Sequence, residues 1–187
     1  MSSLSFNRCS RTAIVLSTTA LLCISATTVR AQETKPFAAY SSSAQSLRDS
    51  VVQMAKAQVG TRYRMGGTTP EKGFDCSGLV KYVMAALNLD VPRTAKQQAK
   101  QGLAINKDTS RLLPGDLLTF GKTKKSTVSH IGIYVGQGRY IHASSGAGRV
   151  IESDLNRTGS PLLKAWRGVR RVVAGAEPDT GAGVSGG

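Results

Sequence analysis

The sequence predicts one α+β domain, with its helices in the first half of the chain and its strands in the second. Apolar residues recur at helical spacing between residues 47 and 101. Beyond residue 114, apolar and polar side chains alternate in short segments, which is typical of strands with one buried face. Helices grouped before strands, rather than alternating with them, favour the α+β class.

Residues 1–31 are predicted to be an export signal that is removed by cleavage. Two arginines precede an apolar run over residues 12–29, and small residues follow at the cleavage spacing. An uncleaved membrane anchor is an alternative, although serines and threonines interrupt the run. A lipid anchor on Cys23 is another, although Leu22 before it is larger than lipidation prefers. We expect an exported protein of the periplasm or cell envelope, with no permanent membrane span after cleavage.

The rest of the chain, 32–187, suits a single domain and is strongly basic. Three of the 25 basic residues and none of the 11 acidic ones lie in the signal, so 32–187 carries a net charge of +11. Such a charge favours anionic partners, and an exported protein meets anionic envelope polymers first. Nucleic acid is not expected as a partner, because the chain has no binding motif and only 5% aromatic residues for base stacking.

Each element of the domain is predicted from its own spacing and from the turn residues around it. A polar, Ser-rich flexible lead over 32–46 precedes the domain, which spans 47–173, and the Gly-rich residues 174–187 are expected to be disordered. Helices are predicted at 47–59, 76–87 and 94–101. Strands are predicted at 117–120, 130–135, 139–144 and 149–151, and Trp166 and the run 169–173 are expected to close the sheet.

Cys76 lies in the first turn of the second predicted helix, and it is the only cysteine of residues 32–187. Asp75 before it is a good N-cap, and the apolar stripe of the helix begins at the thiol. The free N–H groups and the dipole at a helix start favour the reactive thiolate, whereas the charge of Asp75 opposes it. The alternative is an inert cysteine buried in the core, which is common for free cysteines.

Two histidines, His130 and His142, are predicted to share one face of a β-hairpin. A three-residue turn at 136–138 would pair Val135 with Arg139 and would place every apolar side chain of both strands on the opposite face. The two histidines then become diagonal neighbours, close enough for one ring to orient the other.

Cys76, His130 and His142 together match the pattern of a nucleophile, a base and an orienting group. Gly132 lies between the two histidines on their face and leaves room for both rings. Two packing histidines are one alternative. A zinc site formed with Cys76 is another, although the spacing matches no usual zinc pattern.

Six short motifs resemble the NlpC family of cell-wall cysteine peptidases and follow the order and spacing of that family. The resemblance covers about residues 47–173 and is closest to the Spr-like murein endopeptidases. The motifs are Tyr63-Arg64-Met65-Gly66-Gly67, Asp75-Cys76-Ser77-Gly78-Leu79-Val80, Val91-Pro92-Arg93-Thr94, Pro114-Gly115-Asp116-Leu117, Ser129-His130-Ile131-Gly132-Ile133-Tyr134-Val135-Gly136 and Ile141-His142-Ala143-Ser144.

The resemblance implies a papain-like α+β fold in which the helix of Cys76 packs on an antiparallel sheet. It implies Cys76 as nucleophile, His130 as base and His142 as the third polar residue. It places Tyr63 near the thiol as an oxyanion donor, for which a packing role of the ring is the alternative. It implies no metal and no cofactor, and we expect a monomer. The residues implied to bind substrate are Asp75, Ser77, Arg64 and Arg93.

The implied function is hydrolysis of amide bonds in the stem peptides or cross-links of peptidoglycan through an acyl-enzyme. The family cuts D-γ-glutamyl–diaminopimelate or D-alanyl–diaminopimelate bonds, and both remain open for this chain. A non-catalytic wall-binding module and an acyltransferase on the same fold are the alternative functions.

Overall fold

A six-stranded antiparallel sheet forms the centre of the fold in the computed structural model, which describes residues 36–123, 125–157 and 161–173. The predictions for 1–31 and 174–187 lie outside the described residues. Strands of the described part, in chain order, are β1 (Thr68–Thr69), β2 (Gly73–Phe74), β3 (Leu103–Ile105), β4 (Leu117–Gly121), β5 (Val128–Gly136), β6 (Arg139–Ser144), β7 (Arg149–Asp154) and β8 (Trp166–Arg171). The central sheet has the order β3-β8-β4-β5-β6-β7, and β1 pairs with β2 in a separate two-stranded sheet.

Helices precede most of the sheet in the chain, and the predicted α+β class is confirmed. The pair β1–β2 and the edge strand β3 were not predicted, because strands of two or three residues are too short to show an alternation of apolar and polar side chains. The helices are α1 (Pro36–Ala57), α2 (Cys76–Ala85), α3 (Ala95–Gln98) and α4 (Pro161–Lys164).

Helix α1 begins at Pro36, so the prediction of a flexible lead up to residue 46 is wrong for residues 36–46. Proline suits the first turn of a helix, where its missing N–H costs nothing. Ala44 is 6% exposed and lies on the same face of the helix as the buried Val51 and Ala55. Tertiary packing of Ala44 therefore extends the helix into a polar segment whose own composition favours coil.

The predicted register of the β5–β6 hairpin is confirmed away from its turn, where Ile133 pairs with Ile141. At the turn, however, Arg139 pairs with Gly136 rather than with Val135. Gln137 and the glycine that follows it have positive φ angles of 52° and 72°, as in a two-residue type I′ turn. A bulge between Tyr134 and Gly136 takes up the extra residue, so the rest of the register is unchanged.

The central sheet carries apolar residues on both faces. On one face, Ile131, Ile133 and Ile141 pack in a cluster with the apolar stripes of α1 and α2. On the other face, Phe120 and Tyr140 belong to a second, smaller cluster. Consecutive residues of a strand point to opposite faces, and His130 and His142 therefore lie on the face of Phe120 and Tyr140. That face is partly covered rather than open to solvent.

A buried ion pair fixes the last strand to the turn before β4. Arg171 donates from Nε to Oδ1 of Asp116 at 2.8 Å, and the two side chains are 3% and 1% exposed. The second carboxylate oxygen accepts from the backbone N–H of Leu113 at 2.9 Å. A buried charge is tolerated where it is paired and hydrogen-bonded in this way. None of the helices within the described residues is long and apolar enough to cross a membrane.

Candidate active site

The thiol of Cys76 lies at the first residue of α2, as predicted, and is partly exposed. Asp75 is the N-cap residue, with extended backbone angles, and its Oδ1 accepts from the backbone N–H of Gly78 at 2.7 Å. Leu79, Val80 and the apolar residues one turn further on pack the helix against the sheet face of Ile131 and Ile133. The cap and this packing together hold the thiol at the edge of the core instead of inside it.

Asp75 also forms a salt bridge with Arg93. The guanidinium donates to both carboxylate oxygens, at 3.0 and 2.6 Å, and also to the hydroxyl of Ser77 at 2.9 Å. The backbone N–H of Gly66 donates to the same carboxylate at 2.9 Å. Burial alone would raise the pKa of Asp75, but the hydrogen bonds from Arg93 and from backbone N–H groups hold it below its usual range. Asp75 is therefore ionised, neutralised and saturated with hydrogen bonds.

Burial raises the pKa of the Cys76 thiol, and the nearby charge of Asp75 adds to the rise. Hydrogen bonds from the backbone N–H groups of Ile131, Ser77 and Cys76 act in the opposite direction but do not prevail. The thiol is therefore protonated at neutral pH, and the predicted preference for thiolate at the helix start is outweighed by desolvation. Because Ile131 donates to the sulfur, the backbone that carries His130 passes directly beside the thiol.

The two histidines meet as predicted, with 2.8 Å between Nε2 of His130 and Nδ1 of His142. Their rings are perpendicular, at a centroid distance of 4.9 Å. A Cβ added to Gly132 would come within 3.2 Å of the Cβ of His142 and 3.0 Å of Tyr140, so a larger residue would crowd both side chains. Burial lowers the pKa of His130 to about 4 and that of His142 to about 3, to which the neighbouring His130 contributes. Both rings are neutral at pH 7.

The network continues beyond the predicted residues to Ser153 on β7. Its Oγ lies 3.1 Å from Nε2 of His142, and it also hydrogen-bonds the buried hydroxyl of Tyr140. The ring of Tyr140 stacks on His142 at 5.1 Å, with an interplanar angle of 28°. Sequence reasoning ended the strand at Ile151 and so missed Ser153. Continued alternation along β7 would have placed it on the histidine face, opposite Tyr140.

An open cleft of about 720 Å³ brings the predicted catalytic residues together. Cys76, His130, His142 and Tyr63 all line it. Tyr63 is partly exposed, and its hydroxyl contacts the sulfur of Met65 at 3.8 Å. Burial raises the pKa of Tyr63, and the negative charges of the thiolate form of Cys76 and of Asp75 add to the rise, so its hydroxyl stays a donor at neutral pH. The residues that share the cleft and that sequence reasoning did not single out include Met65, Lys96, Lys122, Ser144, Ser145 and Gly146.

The four residues predicted to bind substrate fall into two groups. Asp75 and Ser77 line the cleft, whereas Arg64 and Arg93 are not among its lining residues. Arg93 reaches the site only through Asp75 and Ser77. Arg64 pairs through its backbone with Phe74 at 2.9 Å and belongs to the loop that leads to α2.

Fixed positive charge dominates the cleft at neutral pH. Lys96 and Lys122 are exposed at its lining. Asp75 is the only acidic residue among the cleft lining, and Arg93 neutralises it. The two histidines are neutral. A cleft with this charge balance attracts anionic ligands.

The zinc alternative has no support in the part of the chain that the structure describes. Within that part, no group of three histidine, cysteine or acidic side chains is arranged to hold a metal ion. The ring nitrogens of His142 face His130 and Ser153, so neither is directed at a shared metal position.

The sequence profile of the NlpC/P60 family matches residues 60–171. A Gamma-DL-glutamyl hydrolase of Bacillus subtilis is 47% identical over 95 residues, which are 50% of this chain and 22% of that protein. The Murein DD-endopeptidase MepS/Murein LD-carboxypeptidase of Escherichia coli is 38% identical over 116 residues, 62% of this chain and 57% of the relative. The chain thus spans less than two thirds of the length of either relative.

The solved structures give the same result for the fold. The crystal structure of an NlpC/P60 family protein from Bacillus cereus superposes with a TM-score of 0.62 and 30% sequence identity. The match covers 68% of this chain and 40% of that one. The helices and the antiparallel sheet described above are therefore those of an NlpC/P60 domain, and the predicted papain-like fold is confirmed.

Proposed function

The chain belongs to the NlpC/P60 family, and from this membership we propose that it is a cysteine peptidase that hydrolyses amide bonds in peptidoglycan peptides. One observation carries the proposal: Cys76 and the linked pair of His130 and His142 line the same open cleft. The two relatives described above carry names that specify γ-DL-glutamyl and murein DD-peptide hydrolysis. We further propose that the protein acts in the cell envelope after export, where such a substrate is found.

The reaction begins with a neutral thiol and a neutral imidazole. As the sulfur attacks the amide carbonyl, its proton passes to Nδ1 of His130, because Nε2 is engaged by His142. A C–S bond forms, and the carbonyl π electrons move to oxygen. Backbone N–H groups at the start of α2 and the hydroxyl of Tyr63 stabilise this oxyanion.

Collapse of the tetrahedral intermediate breaks the C–N bond. The leaving amine takes a proton from the His130 imidazolium, and a thioester to Cys76 remains. His130 then deprotonates a water molecule, which attacks the thioester and breaks the C–S bond. The departing thiolate recovers that proton, and both groups return to their neutral resting forms.

The charge of the cleft supports a peptide substrate with free carboxylates. Peptidoglycan stem peptides carry such groups beside the bonds in question. Lys96 and Lys122 supply positive charge at the cleft, and no unpaired acidic side chain lines it. The net charge of +11 over residues 32–187 favours binding to the wall and to other anionic envelope polymers. We assign the activity to a monomer, since one chain contributes every residue of the set.

The roles proposed for the substrate-binding residues follow from their contacts. The carboxylate of Asp75 is saturated by Arg93, Gly66 and Gly78, so a direct contact with substrate would first have to break a partly buried ion pair and its hydrogen bonds. We assign Asp75 and Arg93 to holding the start of α2, and with it the thiol, in place. Ser77 is engaged in the same way, since its hydroxyl donates to Asp75 and accepts from Arg93, and we assign it to the same support.

The test is digestion of purified peptidoglycan and of two defined muropeptides, one with a γ-D-glutamyl–diaminopimelate bond and one with a D-alanyl–diaminopimelate bond. The full chain should release fragments whose masses show the addition of water, and Cys76→Ala should release none. Fragment release that survives Cys76→Ala would rule out the mechanism. Products that carry a new acyl acceptor would identify an acyltransferase. Wall binding without products from either variant would identify a non-catalytic module.

A further inference from the structure

We propose that Ser153 is a positioning residue that sets the protonation of both imidazoles by accepting a hydrogen bond from His142. The inference rests on the proposed function, since it explains how His130 becomes a competent base. Its support is geometric: a continuous chain of contacts joins His130 Nε2, His142 Nδ1, His142 Nε2 and Ser153 Oγ, at 2.8 and 3.1 Å. Ser153 also hydrogen-bonds Tyr140, which is 1% exposed.

Only one arrangement of protons along this chain leaves His130 able to act. A neutral imidazole has one N–H, and His130 can accept the thiol proton on Nδ1 only if its own proton is on Nε2. That proton is then donated to Nδ1 of His142. The remaining proton of His142 must be on Nε2, where it points at Ser153.

The reverse arrangement would leave the base blocked. If His142 carried its proton on Nδ1, it would donate to Nε2 of His130, and Nδ1 of His130 would already hold a proton. Neither nitrogen of His130 could then accept the proton of the thiol. The choice between the two arrangements is made at the far end of the chain, by whether Ser153 accepts from His142 or donates to it.

Tyr140 helps to hold Ser153 and His142 in this arrangement. It is the cross-strand partner of Ser153. A serine hydroxyl has one proton and two lone pairs, so Ser153 can hydrogen-bond Tyr140 and still accept from the Nε2–H of His142. The stacked ring of Tyr140 also holds His142 in the plane that this contact requires. The same polarised chain stabilises the imidazolium that His130 becomes after it takes the thiol proton.

The chain contains only two histidines, so their protonation can be read directly. Long-range ¹H–¹⁵N correlation spectra of the wild-type protein at pH 7 should show both rings protonated at Nε2. In Ser153→Ala, the Nε2–H of His142 loses its acceptor, and a measurable population of the Nδ1–H form should appear at both rings. The kcat for muropeptide hydrolysis should fall roughly tenfold, with KM nearly unchanged, as expected for loss of one buried hydrogen bond that acts through the base. Ser153→Thr retains the hydroxyl and should restore both readouts.

Glu152→Gln is the matched control, because it changes the neighbouring residue of β7, which points to the opposite face and pairs with Arg139 at the surface. It should leave the spectra and kcat as in wild type. The inference would be overturned if the wild-type rings were protonated at Nδ1. It would also be overturned if Ser153→Ala had the same ring protonation and the same kcat as wild type. A wild-type protein that hydrolyses no muropeptide would instead contradict the proposed function, while the spectra would still decide the role of Ser153.

Discussion

At the scale of single residues, we propose that Tyr63 donates a hydrogen bond to the oxyanion at Cys76. Within the described residues, the Tyr63 hydroxyl hydrogen-bonds only the thioether sulfur of Met65, at 3.8 Å. A thioether is a weak acceptor, so this bond is weak. The raised pKa of Tyr63 keeps the proton on the oxygen at neutral pH. The Tyr63 side chain is partly exposed and lines the same cleft as Cys76, so its hydroxyl is available to a ligand there.

Tyr63→Phe should therefore lower kcat by about 10²-fold, the magnitude seen when one oxyanion donor is removed, without a large change in KM. The free energy of unfolding should change by less than about 0.5 kcal/mol, because the hydroxyl has no strong partner in the resting site. Steady-state kinetics on a defined muropeptide and urea unfolding measure the two effects. Tyr82→Phe is the control, because Tyr82 packs at a tilt against Phe74 and is absent from the cleft lining. Full turnover by Tyr63→Phe would assign the ring to packing.

At the scale of elements, the start of α2 is held against the preceding loop by close backbone contact. The backbone N–H of Asp75 donates to the carbonyl of Gly67 at 3.1 Å. A Cβ added to Gly78 would lie only 2.0 Å from that same carbonyl oxygen. Alanine is the better helix former by about 1 kcal/mol, so glycine at this helical position is explained by the contact and not by propensity. The glycine lets the loop of Tyr63 approach the turn that carries the thiol.

Gly78→Ala should lower the free energy of unfolding by roughly 1–3 kcal/mol, the usual cost of overpacking, despite the gain in helix propensity. It should also reduce kcat, because relief of the clash moves the first turn of α2 relative to His130. Urea unfolding and muropeptide kinetics measure both effects. Gly168→Ala is the matched control. Its added Cβ would lie 3.6 Å from Thr119, an ordinary van der Waals contact, and Gly168 is on β8, outside the cleft lining. Equal or greater stability of Gly78→Ala would show that the loop is free to move away.

At the scale of the whole molecule, the two histidines link folding to pH. An unfolded chain exposes both rings, with pKa values near 6.5, whereas the fold lowers them to about 4 for His130 and about 3 for His142. The folded state therefore binds fewer protons than the unfolded state between these values. Stability is fully present above pH 6.5 and is lost as the pH falls towards 4.

Each histidine should reduce the free energy of unfolding by on the order of 2 kcal/mol between pH 7 and pH 5. Denaturant unfolding at half-unit steps of pH measures the slope. Over this range Asp75 contributes little, since its unfolded pKa of 3.8 lies below the window. A His130→Gln/His142→Gln double variant should show a nearly flat profile between pH 7 and pH 5. A wild-type profile that is equally flat would show that the buried rings do not carry this linkage.

The outcomes for particular residues show how far local patterns reach. Asp75 as cap, Cys76 at the first helical turn and the contact of the two histidines were all predictable, because a helix cap and a hairpin register depend on residues near one another in sequence. The bulge at the turn of the hairpin was not, since a two-residue turn with a bulge and a three-residue turn give the same register further along the strands.

The sequence by itself determined the fold class, the position of the thiol at the start of a helix and the face that the two histidines share. These properties follow from periodicity and capping, which act over a few residues. Only the tertiary structure decided that α1 extends back to Pro36, that Arg93 saturates Asp75 and that Ser153 meets His142. It also decided that burial, not the helix dipole, governs the protonation of Cys76. Each of these depends on which distant segments exclude water from a side chain, and local sequence patterns do not encode that environment.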